Sequence, residues 1–224
     1  MRSFFLNSCV FGIWAITVVE YIMICLFFNQ WKKAEKEKKM MIFCMMMITV
    51  GLFIDALFIS LGTLLNENVL RMVSPLRFIS HGVLIPLIFP ICGYGLKTKK
   101  PITMVIWAIT AVLMVAGLME ALFTQLEMKE IAGVVRFVSG ENTPGWAETI
   151  SRILSFGTVI PLMIAGIVIG IKSKHFELFV GGLLMFVFSA LGPATGNADL
   201  IFYISMFGEV LMVLFFFLFT LHKN

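Results

Sequence analysis

The chain has 224 residues, 60% hydrophobic and 13% charged, with a mean hydropathy of +1.00 and a formal net charge of +4. Soluble globules are about half apolar and about a quarter charged, so this composition marks an integral membrane protein and leaves no room for a soluble catalytic or nucleic-acid-binding domain. The lysines sit in short clusters beside apolar runs, where they orient a membrane protein rather than contact nucleic acid.

Seven apolar runs follow one another at 9–29, 41–62, 76–96, 102–123, 152–171, 177–195 and 200–221, each near the ~20 residues that span a bilayer core. The expected fold class is an all-α polytopic membrane protein: a single seven-helix transmembrane domain over residues 1–224. The first run is too long for a signal-peptide h-region, lacks a small-x-small cleavage site and ends in lysines, so it reads as a retained helix. Lys32, Lys33, Lys36, Lys38 and Lys39 follow it, Lys97, Lys99 and Lys100 follow the third run, Lys172 and Lys174 the fifth, and Lys223 the last. That puts 11 of the 17 basic residues on one side, which by the positive-inside rule is the cytoplasm. The expected localisation is the cell membrane, multi-pass, with the N-terminus outside and the C-terminus inside.

Run one carries Glu20, run two Asp55 and the methionine group Met40, Met41, Met45, Met46 and Met47. Those methionines surround the helix instead of sharing a face, so they read as apolar filler and not as a copper site. Run three opens with Arg77 and His81, four residues apart on one helix face. Run four ends in Glu120. An external loop of about 124–151 follows, with a turn cluster at Ser139-Gly140-Glu141-Asn142-Thr143-Pro144-Gly145. On either side of that cluster, 126–138 and 146–153 are expected to form short helices at the interface, with Trp146 at headgroup level. Run five opens with Arg152. Between runs six and seven, Ser189 to Asp199 is rich in Gly, Pro and hydroxyls and reads as a turn, the alternative being an irregular segment that lines the vestibule, and run seven carries Glu209.

Arg77–Lys99 written over Arg152–Lys174 at an offset of 75 gives nine identities in 23 positions, among them Arg77/Arg152, Ser80/Ser155, Gly82/Gly157, Pro86/Pro161 and Gly95/Gly170. Helices 3–4 are therefore expected to repeat in parallel as helices 5–6. His81 faces Phe156 in the alignment, so the histidine is an addition to one copy.

Ionisable groups at bilayer depth cost enough that each is a functional candidate. Glu20, Asp55, Arg77, His81, Glu120, Arg152 and Glu209 together suggest an outward-facing polar cavity that binds a small molecule or an ion, or carries protons, with Glu20 and Glu209 deepest. A purely structural pairing of Glu20 or Glu209 with Arg77, Arg152 or His81 competes with that role. No metal or cofactor is expected: His81 lacks companion ligands, His175 and His222 fall on the other side, and Cys9, Cys25, Cys44 and Cys92 show no metal-ligand or disulfide spacing. The expected partners are the bilayer and a small-molecule or ion ligand, not nucleic acid, with a membrane partner or a homo-oligomer left open.

Three functions fit. A small-solute or ion transporter uses the repeat and the deep acids. A seven-helix sensor or receptor binds a ligand in the outer vestibule and signals through a partner at the lysine-rich loops. The third is an intramembrane enzyme: Asp55, the Ser80–His81 pair and the Gly181–Gly182 to Ser189 stretch resemble the lysoplasmalogenase family, which implies chemistry on lipids. That family's later Ser-Asp reads Ser189–Ala190 here and the helix count differs by one, so no residue role is transferred. The chain also has no GxSxG, HExxH or PAP2-type motif. Binding or transport is the preferred reading.

Overall fold

The computed structural model describes residues 2–194, 196 and 198–222. Lys223, and Thr195 and Asn197 of the segment expected as a turn, lie outside the described residues. Long helices dominate, because a chain in lipid must satisfy each backbone amide internally and a helix does so within one segment. In order they are α1 (Arg2–Lys33), α2 (Lys36–Leu61), α3 (Glu67–Leu84), α4 (Ile88–Gly95), α5 (Lys100–Phe123), α6 (Gly145–Ser173), α7 (Glu177–Ala194) and α8 (Ala198–Leu221). A single 3₁₀ turn at Ile85–Leu87 joins α3 to α4, so the two form one continuous segment. Pro86 sits in that turn. It has no N–H to give to the carbonyl a turn earlier, which accounts for the local tightening.

Among the described residues, six segments are long and apolar enough to cross a membrane: Cys9–Lys33, Lys36–Leu61, Glu67–Gly95, Lys100–Phe123, Gly145–Ser173 and Tyr203–Leu221. The chain is thus compatible with a multi-pass integral membrane protein. The remaining apolar helix, Glu177–Leu191, is shorter.

Three helices, α1, α3 and α6, begin well before their apolar runs. α3 starts at Glu67, where the Asn66 side chain accepts a hydrogen bond from the Val69 amide at 3.0 Å and caps the first turn. α6 starts at Gly145, directly after Pro144. Hydropathy marks only the lipid-facing length, whereas the caps set where the helix starts.

The loop before α6 departs from the sequence expectation. Residues 126–138 do not form an interfacial helix; β1 (Leu126–Ile131) and β2 (Val134–Ser139) make an antiparallel hairpin, pairing Leu126 with Ser139 and Ile131 with Val134. The physical cause is readable afterwards: β2 is rich in Val and Phe, and Ala132–Gly133 supplies a tight turn with both residues at positive φ, 55° and 77°. Residues 146–153 are helical but belong to α6, and Trp146 packs edge-on against Phe123 at the end of α5, with ring centroids 5.3 Å apart.

Sequence neighbours pack on each other and α8 returns to α1, so the helices close into a bundle, with α2 touching α1, α3, α4 and α8. The main core, at the lysine-rich end, joins Phe27, Met45, Ile48, Ile88, Ile91, Leu162, Leu178 and Phe216. A smaller one joins Ile13, Ile16, Ala56, Ile59 and Met206 to Val134 of the hairpin. The hairpin is thus tied into the bundle. Its Ala132 amide donates to Asp199 Oδ1 at 2.6 Å at the start of α8, and its Val135 carbonyl lies where a Cβ on Gly62 would sit at the end of α2. At the other end, Glu177 at the start of α7 meets His222 just beyond α8.

The two segments aligned at an offset of 75 are used differently. Pro86 interrupts a helix and Pro161 lies inside a continuous one. Gly82 meets the backbone of Gly117 on α5, with 2.5 Å left between a Cβ on Gly82 and the Gly117 oxygen, whereas a Cβ on Gly157 would touch only Ile153 of its own helix. The close crossing of α6 with α7 falls instead at Gly166, against Phe179. All four cysteines are free; Cys9, Cys44 and Cys92 are buried and Cys25 is exposed.

Candidate functional site

Asp55 on α2 and Arg77 on α3 form an ion pair, Arg77 Nε donating to Asp55 Oδ1 at 2.9 Å. The same guanidinium donates through Nη1 to the Phe137 carbonyl of β2 at 3.1 Å. Arg77 therefore links two helices and the hairpin with one rigid fork, a geometry that Lys does not reproduce. A partner for each charge is what makes the pair tolerable away from water. Sequence reasoning paired Arg77 with Glu20 or Glu209; the carboxylate that engages it is Asp55, one helix over.

Beside this pair, β2 contributes Arg136, whose Nε and Nη1 are out of solvent. Burial and the charge of Arg77 push Arg136 down to about 10, with Asp55 and Glu209 acting in the opposite sense. It stays cationic at neutral pH. The reading of 126–138 as a helix gave this residue no inward direction, so it was missed. No alternation in the sequence marks it, since Val134 and Phe137, on opposite faces of β2, are both buried and the residues around Arg136 are all apolar.

His81 stands one turn below Arg77 and borders two cavities. One, about 250 Å³, is bounded by Asp55, Arg77, His81, Glu120, Ser151 and Ser155. The other, about 280 Å³, is bounded by His81, Ser155, Ser189, Ser205 and Glu209 together with apolar side chains such as Leu52 and Met212. His81, Ile85 and Ser155 belong to both walls. Glu120 is buried at the end of α5, accepts from the Thr124 hydroxyl at 3.4 Å and shares the wall of the first cavity with Ser151.

Glu20 is 1% exposed, and neither carboxyl oxygen has a hydrogen-bond partner among the described residues. Thr17, one turn away, is engaged elsewhere, sharing a 2.8 Å hydrogen bond with Ser60. Asp55 and Glu209 lie within electrostatic reach of Glu20. The fold thus gathers Glu20, Asp55, Arg77, His81 and Glu209 from four helices, and Glu120 joins them through the first cavity. Arg152 does not join: its side chain is 76% exposed and it meets only Glu148 at 3.5 Å among the described ion pairs. Ser151, Ser155 and Ser205 carry no cavity signal in the sequence, because single hydroxyls in apolar runs have no spacing, whereas Ser189 opens the segment read as a turn or a vestibule lining.

Among the described residues, one cluster has metal-ligand spacing, and it lies at the opposite end of the bundle: His175, Glu177 and His222, with one ligand atom from each within 4.8 Å of the others. In the sequence His175 and His222 stand 47 residues apart, with no metal-ligand spacing between them. An open recess of about 700 Å³ lies on that same face, lined by Glu35, Glu37, Lys38, Tyr94, Lys97 and Lys172 among others.

No protein-family model matches this chain, and no curated protein matches it in sequence.

Proposed function

We propose that the protein binds a small polar solute or ion in the two cavities that meet at His81, and carries it or a proton across the membrane with Glu20 and Glu209 as the protonatable groups. The observation that carries this reading is the shared wall: Arg77–Asp55 charges one cavity, Glu209 faces the other, and His81 and Ser155 stand between them. Volumes of 250 and 280 Å³ suit a ligand of few atoms. The burial of Glu20 without a partner among the described residues supports a role beyond packing, since such a group costs stability and a packing role would favour an apolar side chain.

In this reading α7 is a seventh crossing. It begins beside the end of α8 and leads to the start of α8 beneath the hairpin, and its 18 residues rise about 27 Å at 1.5 Å each, close to the ~30 Å hydrocarbon core. The lysine-rich face is then cytoplasmic and the hairpin covers the cavity from outside.

The test is flux. Purified protein in proteoliposomes is expected to move protons or a small solute down an imposed gradient, and Glu209→Gln and Glu20→Gln to abolish or uncouple that movement. Absence of flux under every gradient, with all three proteins folded, overturns transport and leaves a ligand-binding sensor as the reading of the same cavities.

A further inference from the structure

The lysine-rich end carries a second polar cluster that the proposed transport does not use. His175 lies in the connector between α6 and α7, Glu177 is the first residue of α7, and His222 is the first residue past α8. His222 Nε2 is 2.6 Å from Glu177 Oε1, and His175 Nδ1 is 3.9 Å from the same oxygen. The two imidazoles stack with centroids 3.7 Å apart. Lys38 donates to the His222 carbonyl at 2.9 Å and holds the backbone of that residue against α2. Glu177 Oε2 is buried and has no hydrogen-bond partner among the described residues. Two imidazoles and a carboxylate with a spare oxygen, drawn from the α6–α7 junction and the end of α8, lie within reach of one point.

We propose that His175, Glu177 and His222 bind a divalent transition-metal ion of the zinc class, with a fourth position open to water. Two imidazole nitrogens and one carboxylate oxygen are a recognised donor set for such an ion. Tetrahedral bonds of about 2.0–2.1 Å set ligand atoms roughly 3.4 Å apart. The ion therefore enters by opening the Glu177–His222 contact by under an ångström, drawing His175 in by about half of one and unstacking the two imidazoles so that each turns a ring nitrogen to the ion, by side-chain rotation. On binding, the proton shared between His222 and Glu177 leaves and the metal takes its place. The consequence is mechanical: the ion ties the α6–α7 connector to the end of α8, two parts of the chain that meet only at its close.

Cobalt(II) in place of zinc gives the readout, on untagged protein in detergent. The expected result is one equivalent bound with the visible absorption of a tetrahedral N/O site, lost in His175→Gln, His222→Gln and Glu177→Gln and retained in His81→Gln, the chain's third histidine. Zinc is expected to raise the thermal midpoint of the wild type and to have no effect on the three ligand variants, with EDTA reversing it. Using three separate single variants keeps the test sound where one of them misfolds. Failure to bind a stoichiometric equivalent, binding that survives all three substitutions, or a near-ultraviolet thiolate-to-cobalt band pointing to a cysteine site each overturns the proposal. Because this cluster and the His81 cavities lie at opposite ends of the helices, flux and metal binding succeed or fail separately.

Discussion

Replacing Arg77 by Met is expected to destabilise the fold far more than replacing Arg77 and Asp55 together. The side chains of the pair are only 9% and 18% exposed, so the value that applies is that of a buried ion pair and not the ~0–1 kcal/mol of a surface one. Removing one partner leaves the other charge uncompensated, at about 3–5 kcal/mol. Arg77→Met also takes the donor from the Phe137 carbonyl, adding about 1 kcal/mol and loosening the hairpin. The single variant should thus lose about 4–6 kcal/mol. In Arg77→Met/Asp55→Asn no charge is stranded, and the loss should fall to about 1–2 kcal/mol. The assay is unfolding in mixed micelles with a rising fraction of ionic detergent, followed by circular dichroism, for the wild type, both singles and the double variant. The double variant is expected to be roughly 3 kcal/mol more stable than Arg77→Met, about a hundredfold in the unfolding equilibrium. If the double variant loses the sum of the two singles, or Arg77→Met loses under about 1 kcal/mol, the pair is not the buried link described above.

Arg136 supplies the pH dependence. Its folded value, about 10, lies below the ordinary one, so the folded state holds that proton less tightly and stability rises as pH climbs through about 10; below about pH 9 the group is cationic in both states and contributes no slope. The wild type should therefore gain on Arg136→Met between about pH 9 and pH 11 and run parallel to it near neutrality, and a difference that stays flat throughout removes the burial argument. Gly117→Leu should cost about 2 kcal/mol or more, because the added side chain meets the Gly82 backbone across the α3–α5 crossing; an unchanged melting temperature would mean the helices cross elsewhere. Ala132→Gly should stabilise by about 1 kcal/mol, since Ala132 sits at φ 55° in the hairpin turn and the left-handed region penalises a Cβ; a loss of stability would rule out that turn geometry. Glu20→Leu should hold or raise stability by about 1–3 kcal/mol, the cost of a buried polar group without a partner, while abolishing flux; a large destabilisation would make Glu20 a structural residue.

The sequence made the membrane class and the helices legible because lipid enforces them: an apolar run of ~20 residues has few alternatives to a helix. The hairpin was illegible for the opposite reason. Outside the apolar layer hydropathy falls silent, and the Ala132–Gly133 turn is a weaker hairpin signal than Asn–Gly. The same silence hid the true starts of α3 and α6, where Asn66 and Pro144 set the boundary. Within the site, the deep acids and Arg77–His81 were readable one at a time as charges in the wrong solvent. Their pairing was not, because it depends on which helices adjoin: α2 lies against α3, so Asp55 reaches Arg77, while Arg152, at the equivalent place in the sequence repeat, has only Glu148 on its own helix and faces outward. The His175–Glu177–His222 cluster needed the closure of the chain, since 45 residues separate Glu177 from His222.

The hairpin explains how so polar a cluster persists in so apolar a chain. Asp55, Arg77 and Glu209 on three helices would splay those helices if each sought water separately. The hairpin instead meets α2 at Gly62, α3 through Arg77 and α8 through Asp199, and its own Arg136 adds a second cation beside Arg77. Three anchors on three helices make it a clamp, and the charge it brings balances the carboxylates beneath it. A clamp held by one ion pair and a few hydrogen bonds is also releasable. Protonation or ligand exchange at Asp55 would weaken the hold of Arg77 and, through the Phe137 carbonyl, the seat of β2. The charge that stabilises the cluster and the seat of β2 are thus linked through one guanidinium.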